Sequence, residues 1–157
     1  MSDQTTTIRM GPARAGRAPA TRSRSLGERL ARAGALLVAA LFALHGVAHA
    51  AGVAGIFGLG DTPAENLSTL APGLDPTSLT FRALGALWVV ALGLFVAAAV
   101  GIVLKRSWWL AAAFAATVVS LALCIVWFDA AIVGLALNSV ILVGLVACTA
   151  LRRGVVR

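Results

Sequence analysis

Four long apolar runs restrict the possible folds of this chain more than any other feature. They cover residues 33–57, 79–104, 107–128 and 130–151, and the charged residues lie almost entirely at the ends of the chain and between the runs. A helix needs about 20 consecutive apolar residues to cross the hydrocarbon core of a bilayer, and each run meets that length. With 60% hydrophobic and only 12% charged residues, the composition excludes an ordinary soluble domain and indicates an integral membrane protein.

The runs are predicted to be helices because none of them alternates polar with apolar residues, as the strands of a membrane barrel do. Short connections at 105–106 and 128–129 predict that consecutive helices are antiparallel neighbours. The expected fold is all-α, an integral membrane antiparallel four-helix bundle with up-down-up-down topology, formed by residues 25–151. Small residues four apart mark predicted helix seams; they are Gly46, Ala50 and Ala54 in the first run and Gly93, Ala97 and Gly101 in the second.

Basic residues indicate the orientation. Of the thirteen Lys and Arg residues, all but Arg82 lie before the first run, between the second and third, or after the fourth, whereas the 58–78 connection is acidic. Because Lys and Arg stay on the cytoplasmic side, we expect both termini in the cytoplasm and an external 58–78 loop. The bias toward Ala, Arg, Val and Gly indicates a bacterial source, hence the bacterial inner membrane. Basic residues spread over three segments do not favour a nucleic-acid partner.

Three segments flank or join the spans. Residues 1–24 are polar and basic and are predicted to form a disordered cytoplasmic tail, and residues 152–157 a second basic cytoplasmic tail. Ser25 and Glu28 have the spacing of a capping box, so a helix should begin there, ahead of the first span. A competing interpretation is a secretory signal peptide cleaved near residue 50.

Local signals predict further details. Thr62 to Glu65 indicates a short external helix reaching residue 70, and Asp75 with Pro76 indicates the start of the second spanning helix. Asp129 is expected to be the N-cap of the fourth helix. Trp127 should lie at the outer membrane interface, with Trp108 and Trp109 at the cytoplasmic one.

The first run contains the only two histidines of the chain, His45 and His49, one helical turn apart. An ionisable group inside a membrane span faces the bundle interior or a wet cavity and by default marks a functional site. Counting the helical rise places Ser120 and Asn138 at a similar depth, in the outer half of the bundle. The predicted ligand-binding cluster is His45, His49, Arg82, Ser120 and Asn138, with Asp129 at its outer rim.

The chemistry of this cluster leaves alternatives open. Residues at i and i+4 share a helix face, so a metal on His45 and His49 is an alternative, although the chain offers no third histidine; no cofactor is expected. The histidines could equally serve as structural hydrogen-bonding groups between helices. Cys124 and Cys148 lie at different depths, which argues against a disulfide and favours buried hydrophobic roles. No catalytic residue is predicted.

These residues carry a resemblance. Its elements are Leu44-His45-Gly46, His49, Gly52, Leu84-Gly85, Trp88, Trp108-Trp109, Ser120, Trp127, Gly134 and Asn138. Over residues 33–151 the chain resembles an uncharacterised family of small bacterial four-helix membrane proteins that share the broad layout of DoxX-like proteins. In that family an Asp-Ala pair usually stands four residues before the glycine, whereas Asp129 stands five before Gly134. The resemblance implies the four-helix fold and carries no established activity.

Three classes of function are therefore expected. The first is a non-enzymatic membrane protein whose outer-half polar pocket takes a small ligand, a lipid or a partner protein, with the bilayer as its surroundings and a membrane protein or a second copy as possible partner. The second is a small transporter or proton-coupled exporter subunit, although no Asp or Glu lies within a span. The third is a membrane metal or redox protein. The first class fits the residues best.

Overall fold

The structure is a computed structural model that describes residues 25–59, 75 and 77–155. It contains four helices in the described residues: α1 (Leu26–Phe57), α2 (Leu79–Val103), α3 (Trp109–Val126) and α4 (Phe128–Val155). All four are long and apolar enough to cross a membrane. The predicted all-helical fold is confirmed, with four helices that meet the length and apolarity of a membrane span. The predicted tail at 1–24 and the predicted short helix at 62–70 lie outside the described residues.

Helix α1 begins where the capping box predicts. The Ser25 hydroxyl accepts a hydrogen bond from the backbone N–H of Glu28, and the Glu28 carboxylate accepts one from the backbone N–H of Ser25. This pair satisfies two N–H groups that a helix start leaves without partners. At the other end Gly58 adopts a left-handed conformation with φ of 64°, which glycine reaches without steric cost.

The start of α2 differs from the prediction. Ser78 is its N-cap and accepts a hydrogen bond from the backbone N–H of Phe81. The Asp75 carboxylate instead accepts hydrogen bonds from the backbone N–H and the hydroxyl of Thr77, and these bonds hold the pKa of Asp75 below its ordinary value. Asp75 therefore stabilises the turn that precedes the helix rather than the helix start.

Helix α2 ends in a Schellman motif. The backbone N–H of Arg106 donates to the carbonyl of Gly101 at 2.8 Å, and that of Lys105 donates to Ile102 at 3.1 Å. Lys105 occupies the left-handed position of this motif with φ of 53°, where glycine is usual. The chain thus makes a tight turn before α3. Lys105 occupies a left-handed backbone position that is sterically unfavourable for any residue other than glycine.

The junction of α3 and α4 corrects two expectations. Only Trp127 separates the two helices, and it is 1% exposed, so it packs inside the protein rather than at an outer interface. Asp129 lies within the first turn of α4 and is exposed, not ahead of the helix as an N-cap. Ala131 has non-helical angles that kink α4. Helix α4 then continues to Val155, into the segment 152–157 that is predicted to be a basic cytoplasmic tail.

Close helix approaches occur at glycines that the predicted seams only partly include. A Cβ built on Gly46 would lie 3.0 Å from the Cβ of Phe95, and one on Gly101 would lie 2.7 Å from the Cβ of Trp109. Gly93, by contrast, has nothing within 4 Å and Ala50 is exposed. The predicted helix seams were therefore wrong at Gly93 and Ala50, because spacing alone does not say which face of a helix contacts its neighbour.

In the described part of the chain, extensive helix contacts join α1 to α2, α2 to α3 and α3 to α4. Helices α1 and α4 are not brought into such contact, so a seam runs between them. Side chains from the two helices reach across this seam instead. The candidate functional site lies in that seam, toward the end of the protein that contains the α3–α4 junction.

Candidate functional site

Four of the predicted cluster residues come together between α1, α3 and α4. His45 and His49 project from α1, Ser120 from α3 and Asn138 from α4, and all four are buried. Asn138 has no exposed surface at all. Polar side chains this deep in a protein interior need hydrogen-bond partners, because an unpaired one carries the full cost of its desolvation.

The four side chains satisfy one another in a closed circuit. Asn138 Oδ1 accepts from His45 Nε2 at 3.2 Å, while Asn138 Nδ2 donates to Ser120 Oγ at 2.7 Å. Ser120 Oγ in turn lies 2.7 Å from His49 Nε2, and His49 Nδ1 lies 2.8 Å from the backbone carbonyl of His45. The circuit returns to the residue where it began and connects three helices.

The partners determine where the protons lie. A carbonyl only accepts, so His49 Nδ1 must donate to His45, and in the neutral ring His49 Nε2 then accepts the Ser120 hydroxyl proton. Asn138 Nδ2 donates both to Ser120 and to the Gly134 carbonyl at 2.8 Å, which leaves Asn138 Oδ1 as the acceptor for His45. Every member of the circuit thus has a defined donor or acceptor role.

Aromatic rings from α2 form the wall opposite the circuit. The ring of His45 lies edge-on to Phe95 with centroids 4.6 Å apart, and the ring of His49 lies 5.3 Å from that of Trp88. Trp88 is also 5.9 Å from Trp127 at the α3–α4 junction. Such tilted and edge-on arrangements are favourable for aromatic pairs, and they hold the histidine rings in place.

Glycines allow these rings to approach. A Cβ on Gly52 would lie 2.5 Å from Cδ2 of Trp88, so the indole lies directly against the α1 backbone. A Cβ on Gly134 would lie 3.0 Å from Sγ of Cys124, which brings α3 and α4 together beside Asn138. These close approaches give the glycines of the motif a physical role in building the site.

A half-open cavity of about 360 Å³ lies beside the circuit and the Trp88 ring. Its wall includes His45, His49, Ser120 and Asn138 together with Trp88, Cys124 and Trp127. The volume lies within the range of small-molecule sites, about 300 to 1,000 Å³. Most of the remaining lining is Ala, Gly and Ile, so the cavity presents a few polar groups on an apolar surface.

Two donors in this wall have no acceptor. The indole Nε1 atoms of Trp88 and Trp127 are buried and have no hydrogen-bond partner within the described ranges. Both indoles belong to the lining of the cavity. Orphaned buried donors of this kind are rare in native proteins and call for a specific explanation.

Arg82 and Asp129 are not brought to the cluster. Both are exposed, and neither lines the cavity. The described residues that line the cavity include no Asp, Glu, Lys or Arg. Only the two histidines could carry a charge there, and only when protonated. In the described part of the chain, the cavity therefore lacks the two charged residues, Arg82 and Asp129, that the sequence predicts there.

Three lining residues were not predicted as part of the site. Cys124 was assigned a hydrophobic role, yet its Sγ lies 3.7 Å from Asn138 Nδ2, beside the hydrogen-bond circuit. Trp127 was assigned to the membrane interface and Trp88 had no assigned role. The available signal was that Trp88 lies well inside an apolar run, whereas interfacial tryptophans lie near the ends.

The donor set does not form a metal centre by itself. Over residues 25–59, 75 and 77–155, no three His, Cys, Asp or Glu side chains are grouped so that they could hold a metal ion. A metal on His45 and His49 would also have to displace the hydrogen bonds that now use three of their four ring nitrogens.

The chain matched no protein-family model, no curated protein and no solved structure.

Proposed function

We propose that this multi-pass membrane protein binds a small uncharged molecule in the cavity at the α1–α4 seam, without catalysing a reaction on it. The observation that carries the proposal is that Trp88 and Trp127, whose buried indole N–H groups have no hydrogen-bond partner in the described residues, both line this cavity. In this proposal the two indoles turn their N–H groups toward a ligand that supplies hydrogen-bond acceptors.

The chemistry of the wall defines the ligand class. An ion would lose its hydration in this cavity without meeting a permanent opposite charge, which is strongly unfavourable. The lining is mainly apolar with a few oriented polar groups, as in sites for small organic molecules. A compact neutral molecule that carries a carbonyl, ether or hydroxyl oxygen fits both constraints.

The histidine circuit supports binding rather than catalysis. Ser120 does donate to His49, whose Nδ1–H is oriented by the His45 carbonyl, which is the pairing that can activate a nucleophile. The Ser120 hydroxyl is, however, fully buried and its oxygen also accepts from Asn138, so its hydrogen-bonding capacity is committed to the circuit. In this proposal the circuit holds α1, α3 and α4 in the positions that shape the cavity.

The proposal is tested with the purified full chain, labelled with ¹⁵N at the tryptophan indoles. The chain has four tryptophans, so four indole N–H resonances report on defined places. Titration with cyclohexanone, tetrahydropyran and cyclohexanol is expected to shift the resonances of Trp88 and Trp127 and to leave those of Trp108 and Trp109 unchanged. Cyclohexane, which has the same ring size and no oxygen, is the matched control.

The variants Trp88→Phe and Trp127→Phe assign the resonances and remove one donor each while keeping an aromatic ring. Because a net hydrogen bond contributes about 0.5 to 1.5 kcal/mol, each variant should weaken binding of the best oxygenated probe by about twofold to tenfold. If none of the three oxygenated probes perturbs Trp88 and Trp127 more than cyclohexane does, the proposal is wrong.

We further propose that the chain lies in the bacterial inner membrane as an up-down-up-down bundle with both termini cytoplasmic. The distribution of Lys and Arg over three of the five non-spanning segments supports this orientation. Alkaline phosphatase fused after residue 59 should be active, because that enzyme matures only outside the cytoplasm. The same fusion after residue 106 should be inactive, and the reverse pattern would overturn the orientation.

The likeness to small bacterial four-helix membrane proteins of DoxX-like layout stays a prediction. What supports it is that its motif positions coincide with the site: the two histidines, Ser120 and Asn138 form the circuit, and Gly52 accommodates Trp88.

A further inference from the structure

We propose that a second site, independent of the histidine cluster, binds one anionic phospholipid between α1 and α4, with its phosphate on Lys105, Arg106 and Arg152. These three side chains line a cavity of about 520 Å³ where α2 ends and α3 begins. An apolar cavity of about 410 Å³ follows along the same seam and would take an acyl chain.

The head of the site concentrates positive charge. Lys105 and Arg106 come from the α2–α3 turn and Arg152 from the far end of α4, so residues distant in the sequence contribute to one cavity. Among the described residues, its lining includes three cations and no carboxylate. Phosphate oxygens are the natural partners of such a group, because guanidinium groups donate two parallel hydrogen bonds to them.

Two observations show that the cations are positioned. The guanidinium carbon of Arg152 lies 5.5 Å from the ring centroid of Trp109, within the range of a cation–π interaction. Lys105 keeps its place at a left-handed backbone position with φ of 53°. The Glu28 carboxylate lines a neighbouring cavity with Lys105 and accepts a hydrogen bond from the backbone N–H of Ser25.

The tail of the site continues from the head. Val38 and Trp109 line both cavities, so the basic and the apolar spaces adjoin. Beyond them the apolar cavity is bordered by Phe42 and Leu145, and it ends at His45. Its surface is almost wholly apolar, and it follows the seam where α1 and α4 are not in extensive contact. A lipid chain would fill this space.

The combination selects a phospholipid over a free phosphate. The three cations lie at the ends of spanning helices, which is the level of the lipid headgroups, and a soluble phosphate compound would leave the apolar cavity empty. A neutral lipid would fill the apolar cavity without using the cations. An anionic phospholipid uses both.

The test measures lipids that remain bound when the full chain is released from nanodiscs in native mass spectrometry. The nanodiscs contain equal amounts of phosphatidylglycerol and phosphatidylcholine. The parent protein is expected to retain one phosphatidylglycerol preferentially. The triple variant Lys105→Gln, Arg106→Gln, Arg152→Gln should reduce this preference by about fivefold for each cation removed, or about a hundredfold in all.

A charge-matched control is Arg14→Gln, Arg17→Gln, Arg22→Gln, which removes the same charge from the N-terminal segment. It should leave the preference within about twofold of the parent if the lipid is held at the proposed site. An equal loss in both triple variants would show general attraction of a basic protein to an anionic surface and would overturn the site.

A second variant tests the tail without changing charge. Gly144 lines the apolar cavity, and a Cβ built on it meets nothing within 4 Å, so Gly144→Phe can place its ring there without backbone strain. It should lower retention of phosphatidylglycerol, whereas Gly93→Phe, on an equally open glycine of α2, should not. Unchanged retention in Gly144→Phe would overturn the tail position.

A final arm separates the two phosphate sources. Glycerol 3-phosphate at millimolar concentration carries the phosphate without the acyl chains and is expected not to displace phosphatidylglycerol from the parent. Displacement would show that the cations bind a soluble phosphate compound, and the lipid proposal would be wrong.

The cation variants do not alter the wall of the histidine cavity, so the indole resonances of Trp88 and Trp127 should be unchanged in them. Gly144→Phe differs, because Gly144 and His45 line the same apolar cavity.

Discussion

Replacing Asn138 with leucine is the sharpest test of the hydrogen-bond circuit. Leucine has a similar shape and volume, so the change removes the amide without leaving a large cavity. It breaks the bond from His45 on α1 and the bond to Ser120 on α3, which measure 3.2 and 2.7 Å. The third bond of Asn138, to the Gly134 carbonyl, lies within α4 and does not join helices.

The expected magnitude follows from the two interhelical bonds. Side-chain hydrogen bonds between membrane helices average about 0.6 kcal/mol and reach about 1.7 kcal/mol, so Asn138→Leu should lower the free energy of unfolding by about 1 to 3 kcal/mol. The upper part of this range is expected because His45 Nε2–H keeps no other partner in the described circuit and becomes an unpaired buried donor. The change also removes the bridge across the α1–α4 seam.

The assay is reversible unfolding of the purified protein in mixed micelles at increasing SDS fraction, followed by circular dichroism. Ser139→Ala is the matched control, because the Ser139 hydroxyl is exposed and donates only within its own helix, to Leu135. A double-mutant cycle with His45→Ala isolates the bond across the seam. A loss below about 0.3 kcal/mol for Asn138→Leu, with no coupling to His45, would refute the claim that the circuit holds the helices together.

Three further changes test local features in the same unfolding assay. Gly52→Ala places a Cβ 2.5 Å from the Trp88 ring and should destabilise by about 1 to 3 kcal/mol, whereas Gly93→Ala enters open space and should stabilise by up to about 1 kcal/mol; equal effects would contradict the assigned helix faces. Ser25→Ala removes the α1 cap, so amide hydrogen exchange in the first turn should speed up, by about fivefold for a cap worth about 1 kcal/mol, and unchanged exchange would argue against the capping box. Lys105→Gly relieves a left-handed φ of 53° and should stabilise by about 1 kcal/mol while weakening phosphatidylglycerol retention, and destabilisation would show that the lysine side chain supports the turn.

Part of the site was predictable because depth along a spanning helix can be counted from the sequence. A rise of about 1.5 Å per residue places His45, His49, Ser120 and Asn138 at one level, and the structure joins them by hydrogen bonds. Arg82 was assigned to the same cluster from the outer half of the bundle, yet its side chain is exposed. Depth constrains one coordinate, and rotation about the helix axis decides whether a side chain faces the interior.

The tryptophans illustrate the same limit. Trp127 stands near the end of the third apolar run, so an interfacial position was the natural expectation. In the structure α3 passes into α4 with almost no connection, and the ring turns inward against Phe81 and Trp88. The sequence indicates how deep Trp127 lies along its helix. It does not show that the α3–α4 junction is so short, nor that Gly52 leaves room for the neighbouring indole of Trp88, because both depend on how the helices pack.

The sequence by itself determined the helical membrane fold, because the length and apolarity of the four runs leave the backbone few other ways to satisfy its polar groups in lipid. It also determined the start of α1 and the level of the polar cluster, since capping and helical rise are local properties. Only the tertiary structure decided that α1 and α4 leave a seam, that two tryptophans with unpartnered indole donors line one cavity, and that Arg152 joins Lys105 and Arg106. These features depend on the rotation and pairing of helices, which arise from contacts between residues far apart in the chain.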